Sequence, residues 1–227
     1  NMVLTVVGDF DVNQMTSTLK NLCESWEKGP KQEITYPSLS FEPSFKKDIQ
    51  LVRDQVVMLF GMPSSLTIYD EDITPMKLLN YITFYSLGSR IYSLRERTGL
   101  FYNAFGGWAA GAGKEVGINY VGAILNPDKV DYAEREMLRL IDELGTNGVG
   151  EDELKAAQQM YLKSLIDSIS TNGAIADLLC MLDSFELGFD YYDKVLKRIQ
   201  NLSLEQINQI AKKYFSTKDF ARVRVGR

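Results

Sequence analysis

Two strand-like runs separated by a glycine-rich tip constrain this chain more than any other stretch. Residues 100–110 and 116–125 carry mostly apolar, aromatic and β-branched side chains, with Gly111-Ala112-Gly113-Lys114 between them, a pattern that predicts a hairpin. A hairpin makes its strands antiparallel neighbours, which argues against a doubly wound parallel sheet. Gly117 and Gly122 in the second run predict close backbone packing or bulges.

The flanking segments extend this reading. Residues 2–8 are β-branched and apolar and predict a buried strand. Asp11 is a candidate N-cap for a helix over roughly 12–28, with Val12, Met15, Leu19, Leu22 and Trp26 at helical spacing. Residues 29–48 hold three of the six prolines and read as an extended connector. Residues 49–62 predict one long strand, or two with a bend near Asp54. A helix over roughly 73–97 follows, closed by Gly99 in a left-handed conformation. Further helices are expected at 128–144, from Glu151 to about Glu186 with a break near 170–173, and at 190–200 and 203–215. The last opens on an S-x-x-Q capping box, Ser203 to Gln206. Phe220–Val225 alternates apolar and basic residues as a closing strand would. The predicted class is α+β: a mostly antiparallel sheet layered with helices. No linker and no repeat divides residues 1–227, so a single domain is expected.

An apolar fraction of 45% and a charged fraction of 24% are those of an ordinary globular chain. The net charge of −5 and the lack of a concentrated basic face argue against nucleic acid as a partner. No apolar run approaches the roughly 20 residues of a membrane span. Cys23 and Cys180 read as two buried thiols and leave the redox compartment open. There is no histidine, so no imidazole base is at hand, and two cysteines without it do not make a zinc site unaided. The chain opens Asn1-Met2-Val3 directly on a strand-like run, which predicts a segment cut from a longer protein.

Chemistry-bearing residues concentrate at 88–102: Gly88-Ser89-Arg90-Ile91-Tyr92, then Leu94-Arg95-Glu96-Arg97-Thr98-Gly99-Leu100-Phe101-Tyr102. With Gly99 turning the corner, Arg95 stands in the last turns of a helix and Tyr102 on the strand that follows. Both side chains could then face one ligand. A phenol and a guanidinium are donors for a developing oxyanion, and arginine can hold a carbonyl or carboxylate through two bonds. On spacing alone a plainer reading stands beside this one. Arg90, Arg95 and Arg97 would simply favour a helix C-terminus, at roughly 0.3–1 kcal/mol each, and Tyr102 would be an ordinary sheet residue.

Two other stretches invite chemistry and do not sustain it. The run from Gly106 to Gly113 lacks the Gly-Lys-Ser/Thr ending of a phosphate loop and lies inside a hairpin. Glu151-Asp152-Glu153 sits where acidic side chains favour a helix start.

The 88–102 pattern resembles the non-catalytic, C-terminal half of pitrilysin/insulinase-type zinc metallopeptidases, the family of the mitochondrial processing peptidase. The small-Ser-Arg element, the Leu-Arg pair and the Gly-Leu-x-Tyr turn carry the likeness. Weaker matches are Val-Val-Gly-Asp-Phe-Asp at 6–11, Asn126-Pro127-Asp128-Lys129, Gly148 to Leu154, and Leu202 to Ile207. The resemblance implies the LuxS/mitochondrial processing peptidase-like metallohydrolase fold. It also implies that Arg95 and Tyr102 are substrate-binding residues reaching toward the scissile bond in another half. The zinc motif H-x-x-E-H is absent, so this segment holds no metal and no catalytic residue, and alone is expected to be inactive. Zinc is expected in a partner half, in the same parent chain or a separate subunit, with a peptide as substrate. The chain resembles the later part of one family repeat, whose earlier strands and helices would precede Asn1. The alternative implied by the same resemblance is a structural subunit like the core proteins of the cytochrome bc1 complex.

Overall fold

The computed structural model describes residues 2–30, 32, 34–37 and 39–226. Its contacts separate two compact units: residues 1–39 with 165–191, and residues 40–164 with 192–227. In the first unit, α1 (Val12–Cys23) is capped by Asp11, whose carboxylate accepts from the Gln14 N–H at 2.8 Å. Residues 2–7 form no strand, and Met2 is 72% exposed. β-branched composition does not make a strand by itself, and among the described residues no backbone completes a ladder with this segment. The Thr5 hydroxyl donates instead to the Ala176 carbonyl at 2.8 Å, on α6 (Asn172–Ser184). Cys23 and Cys180 are free and half-buried, not the fully buried thiols expected.

The second unit is built on a five-stranded sheet. Its strands are β1 (Lys46–Gln50), β2 (Val56–Pro63), β3 (Phe101–Ala110), β4 (Ile118–Leu125) and β5 (Ala221–Gly226), in the order β1-β5-β2-β4-β3. All pairings are antiparallel except β1 with β5. The predicted hairpin and closing strand are present. The 49–62 run is two strands, β1 beginning inside the expected connector. The helices are α2 (Ile73–Asn80), α3 (Arg90–Thr98), α4 (Val130–Asn147), α5 (Glu151–Ser168), α7 (Tyr191–Asn201) and α8 (Leu204–Tyr214). Residues 165–168 of α5 and Tyr191 of α7 belong to the first unit.

Alternation along β2 defines the sheet's faces. Val56, Met58 and Phe60 are buried, while Val57 and Leu59 between them stay about 40% exposed. Arg222 and Arg224 stand opposite Phe60 and Met58 in the register, on the buried face. There they meet α4: Arg222 pairs with Glu134 at 3.1 Å, Arg224 with Asp131 at 2.8 Å and also with Glu134. Gly122 meets the expectation of close packing, since a Cβ there would lie 2.7 Å from the Phe105 ring.

The helix expected over 73–97 is interrupted. α2 passes into a π-helical turn, Tyr81–Tyr85, and Ser86 is extended. Ser89 then caps α3, its hydroxyl accepting from the Tyr92 N–H. α2 is tied to α8 through Asp72, which accepts from Lys213 Nζ at 2.8 Å and Tyr214 Oη at 2.7 Å. The Ser203–Gln206 capping box forms as expected. Among the described residues no single helix is long and apolar enough to cross a membrane.

Gly99 ends α3 at φ +57°, with open space where a Cβ would stand. The penalty for Gly99→Ala is therefore that of left-handed backbone alone. Chemical denaturation of the variant should show a loss of about 1–2 kcal/mol, and an unchanged midpoint would mean the corner is not held in this conformation.

Candidate functional site

The corner between α3 and β3 places the two residues singled out by sequence. Arg95 lies in the last turn of α3, and its carbonyl accepts the Gly99 N–H at 2.8 Å. β3 opens with an irregular register: Phe101 pairs with Leu125 and Asn103 with Ile124, leaving Tyr102 as an extra residue between them. A bulge of this kind re-aims a side chain. Phe101 is buried, and Tyr102 is 76% exposed.

Arg95 and Tyr102 line one cleft of about 510 Å³, together with Gln55, Glu96 and Asn126. Among the described residues, the Tyr102 hydroxyl and the Arg95 guanidinium have no hydrogen-bond or ion-pair partner. The guanidinium carbon stands 5.9 Å from the Tyr92 ring centroid, close enough for cation–π attraction to orient it without consuming its N–H donors. The site thus offers a forked cation and a phenol on one open rim, free to meet a carbonyl or carboxylate.

Arg90 has a different fate. It opens α3 rather than closing it, and its Nε and Nη2 donate to the two Glu153 carboxylate oxygens at 2.7 and 2.8 Å. Nη2 also donates to the Gly148 carbonyl at 2.7 Å. Arg90 therefore anchors α3 to the start of α5, and the acidic run at 151–153 serves a helix start, Glu153 also accepting the Gly150 N–H. Burial works to raise the Glu153 carboxyl, but the Arg90 and Gly150 hydrogen bonds and the Arg90 charge outweigh it and hold it below its ordinary value. A depressed carboxyl stabilises the fold fully above the unfolded value and progressively less as pH falls through the folded one. Glu153→Gln should flatten the loss of stability below about pH 4.5. Denaturation followed across that window checks it, and an unaltered acid slope would count against the pairing.

Gln55, from the β1–β2 loop, and Asn126, at the end of β4, were not picked out as cleft residues. Gln55 has no local signature, while Asn126 was visible only as a helix start. Among the described residues no group of three or more His, Cys, Asp or Glu side chains is placed to hold a metal ion. With no histidine in the chain, its residues do not fit the zinc site of a peptidase.

Comparison with known proteins bears on this geometry. The sequence matches the family described as the peptidase M16 inactive domain over residues 1–161. A search of curated proteins finds no match. Among solved structures, a peptidase M16 inactive domain from Pseudomonas fluorescens superposes with a TM-score of 0.82 at 20% identity, over 96% of this chain and 52% of that one. A protease from Helicobacter pylori gives 0.83 at 14% identity, over 97% and 54%. A chain of complex III from Candida albicans gives 0.73 at 13% identity, over 96% and 53%. This chain spans about half the length of these three solved chains. These likenesses agree with the mixed sheet-and-helix fold, and the family match covers the corner bearing Arg95 and Tyr102. The chain belongs to the peptidase M16 inactive-domain family.

Proposed function

We propose that residues 1–227 act as one non-catalytic, substrate-binding half of a zinc endopeptidase, completing a peptide-binding chamber for a catalytic half that carries the metal. The observation that carries this reading is the contrast between two neighbouring arginines. Arg90 is spent on Glu153 and Gly148, whereas Arg95 keeps its donors for a ligand on the cleft it shares with Tyr102. In this role Arg95 grips a peptide carbonyl or carboxylate, and the Tyr102 hydroxyl donates to the oxygen on which negative charge develops. Neither residue cleaves a peptide unaided, and the zinc belongs to the other half, in the same parent chain or in a separate subunit.

A second reading, a scaffold subunit of the same fold, is supported by the likeness to a complex III chain. A paired assay separates the two: this segment alone, and combined with its catalytic half, on a quenched peptide with and without a zinc chelator. Chelator-sensitive cleavage that needs both halves is expected. A folded pair that cleaves nothing would move the scaffold reading ahead.

A further inference from the structure

Three cavities stand in a row beside β3, an edge strand of the sheet. The first is the Arg95–Tyr102 cleft, reached from Phe101 and Tyr102. The second, about 330 Å³, is reached from Asn103 and Ala104 and walled by Phe84, Tyr85, Leu87 and Tyr92. The third, also about 330 Å³, is reached from Trp108 to Ala110. Arg95 lines both the first and the second, and Tyr85 lines both the second and the third. The shared walls set the three cavities side by side along the strand. From Tyr102 to Trp108 the strand runs for roughly 20 Å, at about 3.3 Å per strand residue.

The third cavity differs chemically from the other two. Lys77 lines it with Asn80 and three tyrosines, Tyr81, Tyr85 and Tyr161, and no acidic residue is among its walls. Those walls are fixed. Tyr81 stacks edge-on to Tyr85 at 5.6 Å and lies 5.7 Å from Tyr161. Asn80 clamps the Trp108 backbone, accepting from its N–H at 2.7 Å and donating to its carbonyl at 3.0 Å. The Trp108 indole N–H donates to the Thr83 hydroxyl at 3.0 Å, and Ala109 is held at φ +51° beside it. A lysine and phenols on a rigid aromatic wall form a pocket for an anion that also presents an apolar stem. An ammonium has three N–H donors, so a ligand can be met alongside the interaction that Lys77 already makes. Burial pushes the Lys77 amine below its ordinary value, and an arriving carboxylate would restore the charged form.

We propose that the Lys77 cavity is a distal subsite of the peptide track and receives a carboxylate of the peptide held at Arg95 and Tyr102. This deepens the substrate-binding reading and rests on it. The spacing sets a position: in an extended peptide the carboxylate lies about six residues from the one at Arg95.

The test uses the complete two-half enzyme and quenched peptides of one sequence, with a single Glu moved along the chain on either side of the cleaved bond. A minimum in KM about six residues from that bond is expected, about tenfold below the Gln counterpart, in keeping with a charge-assisted contact. A flat scan overturns the proposal and needs no variant. A parallel pair with a free or amidated C-terminus at the same distance separates a side-chain carboxylate from the chain end. Lys77→Gln should collapse the Glu-to-Gln preference and Lys77→Arg should keep it, while an unchanged preference in Lys77→Gln overturns the assignment. Failure of the underlying reading shows elsewhere, as an unchanged kcat in Tyr102→Phe, where the Glu scan still reports on Lys77.

Discussion

Replacing Tyr102 by Phe in the complete enzyme should lower kcat by about 10²–10³ while KM moves far less, the effect of removing one oxyanion donor. The substitution is well posed because of where Tyr102 stands. Its ring is mostly exposed and its hydroxyl bonds to no other described residue, so losing the oxygen leaves the fold's own hydrogen bonds intact. Thermal stability should therefore stay within experimental error of the parent. An interaction made only as charge develops lowers kcat and kcat/KM together, whereas uniform substrate binding would appear in KM. An unchanged kcat would sink the assigned role and leave Tyr102 an ordinary exposed tyrosine.

The largest expected effect on stability belongs to Asn80. Its amide spans the buried space between α2 and β3, bonding the Met76 carbonyl at 3.3 Å and both polar groups of the Trp108 backbone. Asn80→Leu strands a buried N–H and a buried C=O, each costing about 1–3 kcal/mol, so roughly 2–6 kcal/mol should be lost in urea or thermal denaturation. Asn80→Asp keeps an acceptor for the Trp108 N–H and loses the donor to its carbonyl, and should differ measurably from the parent. If both variants were as stable as the parent, the clamp would not hold β3 in place.

What the sequence disclosed followed local signals. Gly99 announced the left-handed corner, Ser203 and Gln206 the capping box, and Gly111–Lys114 the hairpin tip, because each of these choices is made within four or five residues. The corner brought Arg95 and Tyr102 to one rim as expected. The bulge that turns Tyr102 outward was not legible, since it depends on the register with β4. The break at 81–89 hid inside an apolar pattern, because a π-helical turn shifts the helical phase without any helix-breaking residue between Tyr81 and Tyr85. Residues 2–7 misled by composition: they are strand-like, but the ladder depends on a partner backbone that composition does not name. The Lys77 cavity was invisible for the same reason. Its walls come from segments around 68–85, 108–112 and 161, which only the packed sheet and helices assemble.

The position of β5 between β1 and β2 has a consequence for biosynthesis. An interior strand of the sheet is supplied by residues 221–226, whereas its neighbours occupy 46–50 and 56–63. A ribosome adding about 5–20 residues per second finishes β5 on the order of ten seconds or more after β2 emerges. During that interval β1 lacks the one strand it pairs with among the described residues, and one edge of β2 is without its β5 partner, the kind of exposed ladder that invites aggregation. Of the described strands, β2, β4 and β3 can pair before β5 is made, and β5 then threads into the gap between β1 and β2. Slow synthesis or early termination before residue 221 should therefore burden chaperones far more than an equal disturbance within the 100–125 hairpin, whose partners emerge side by side.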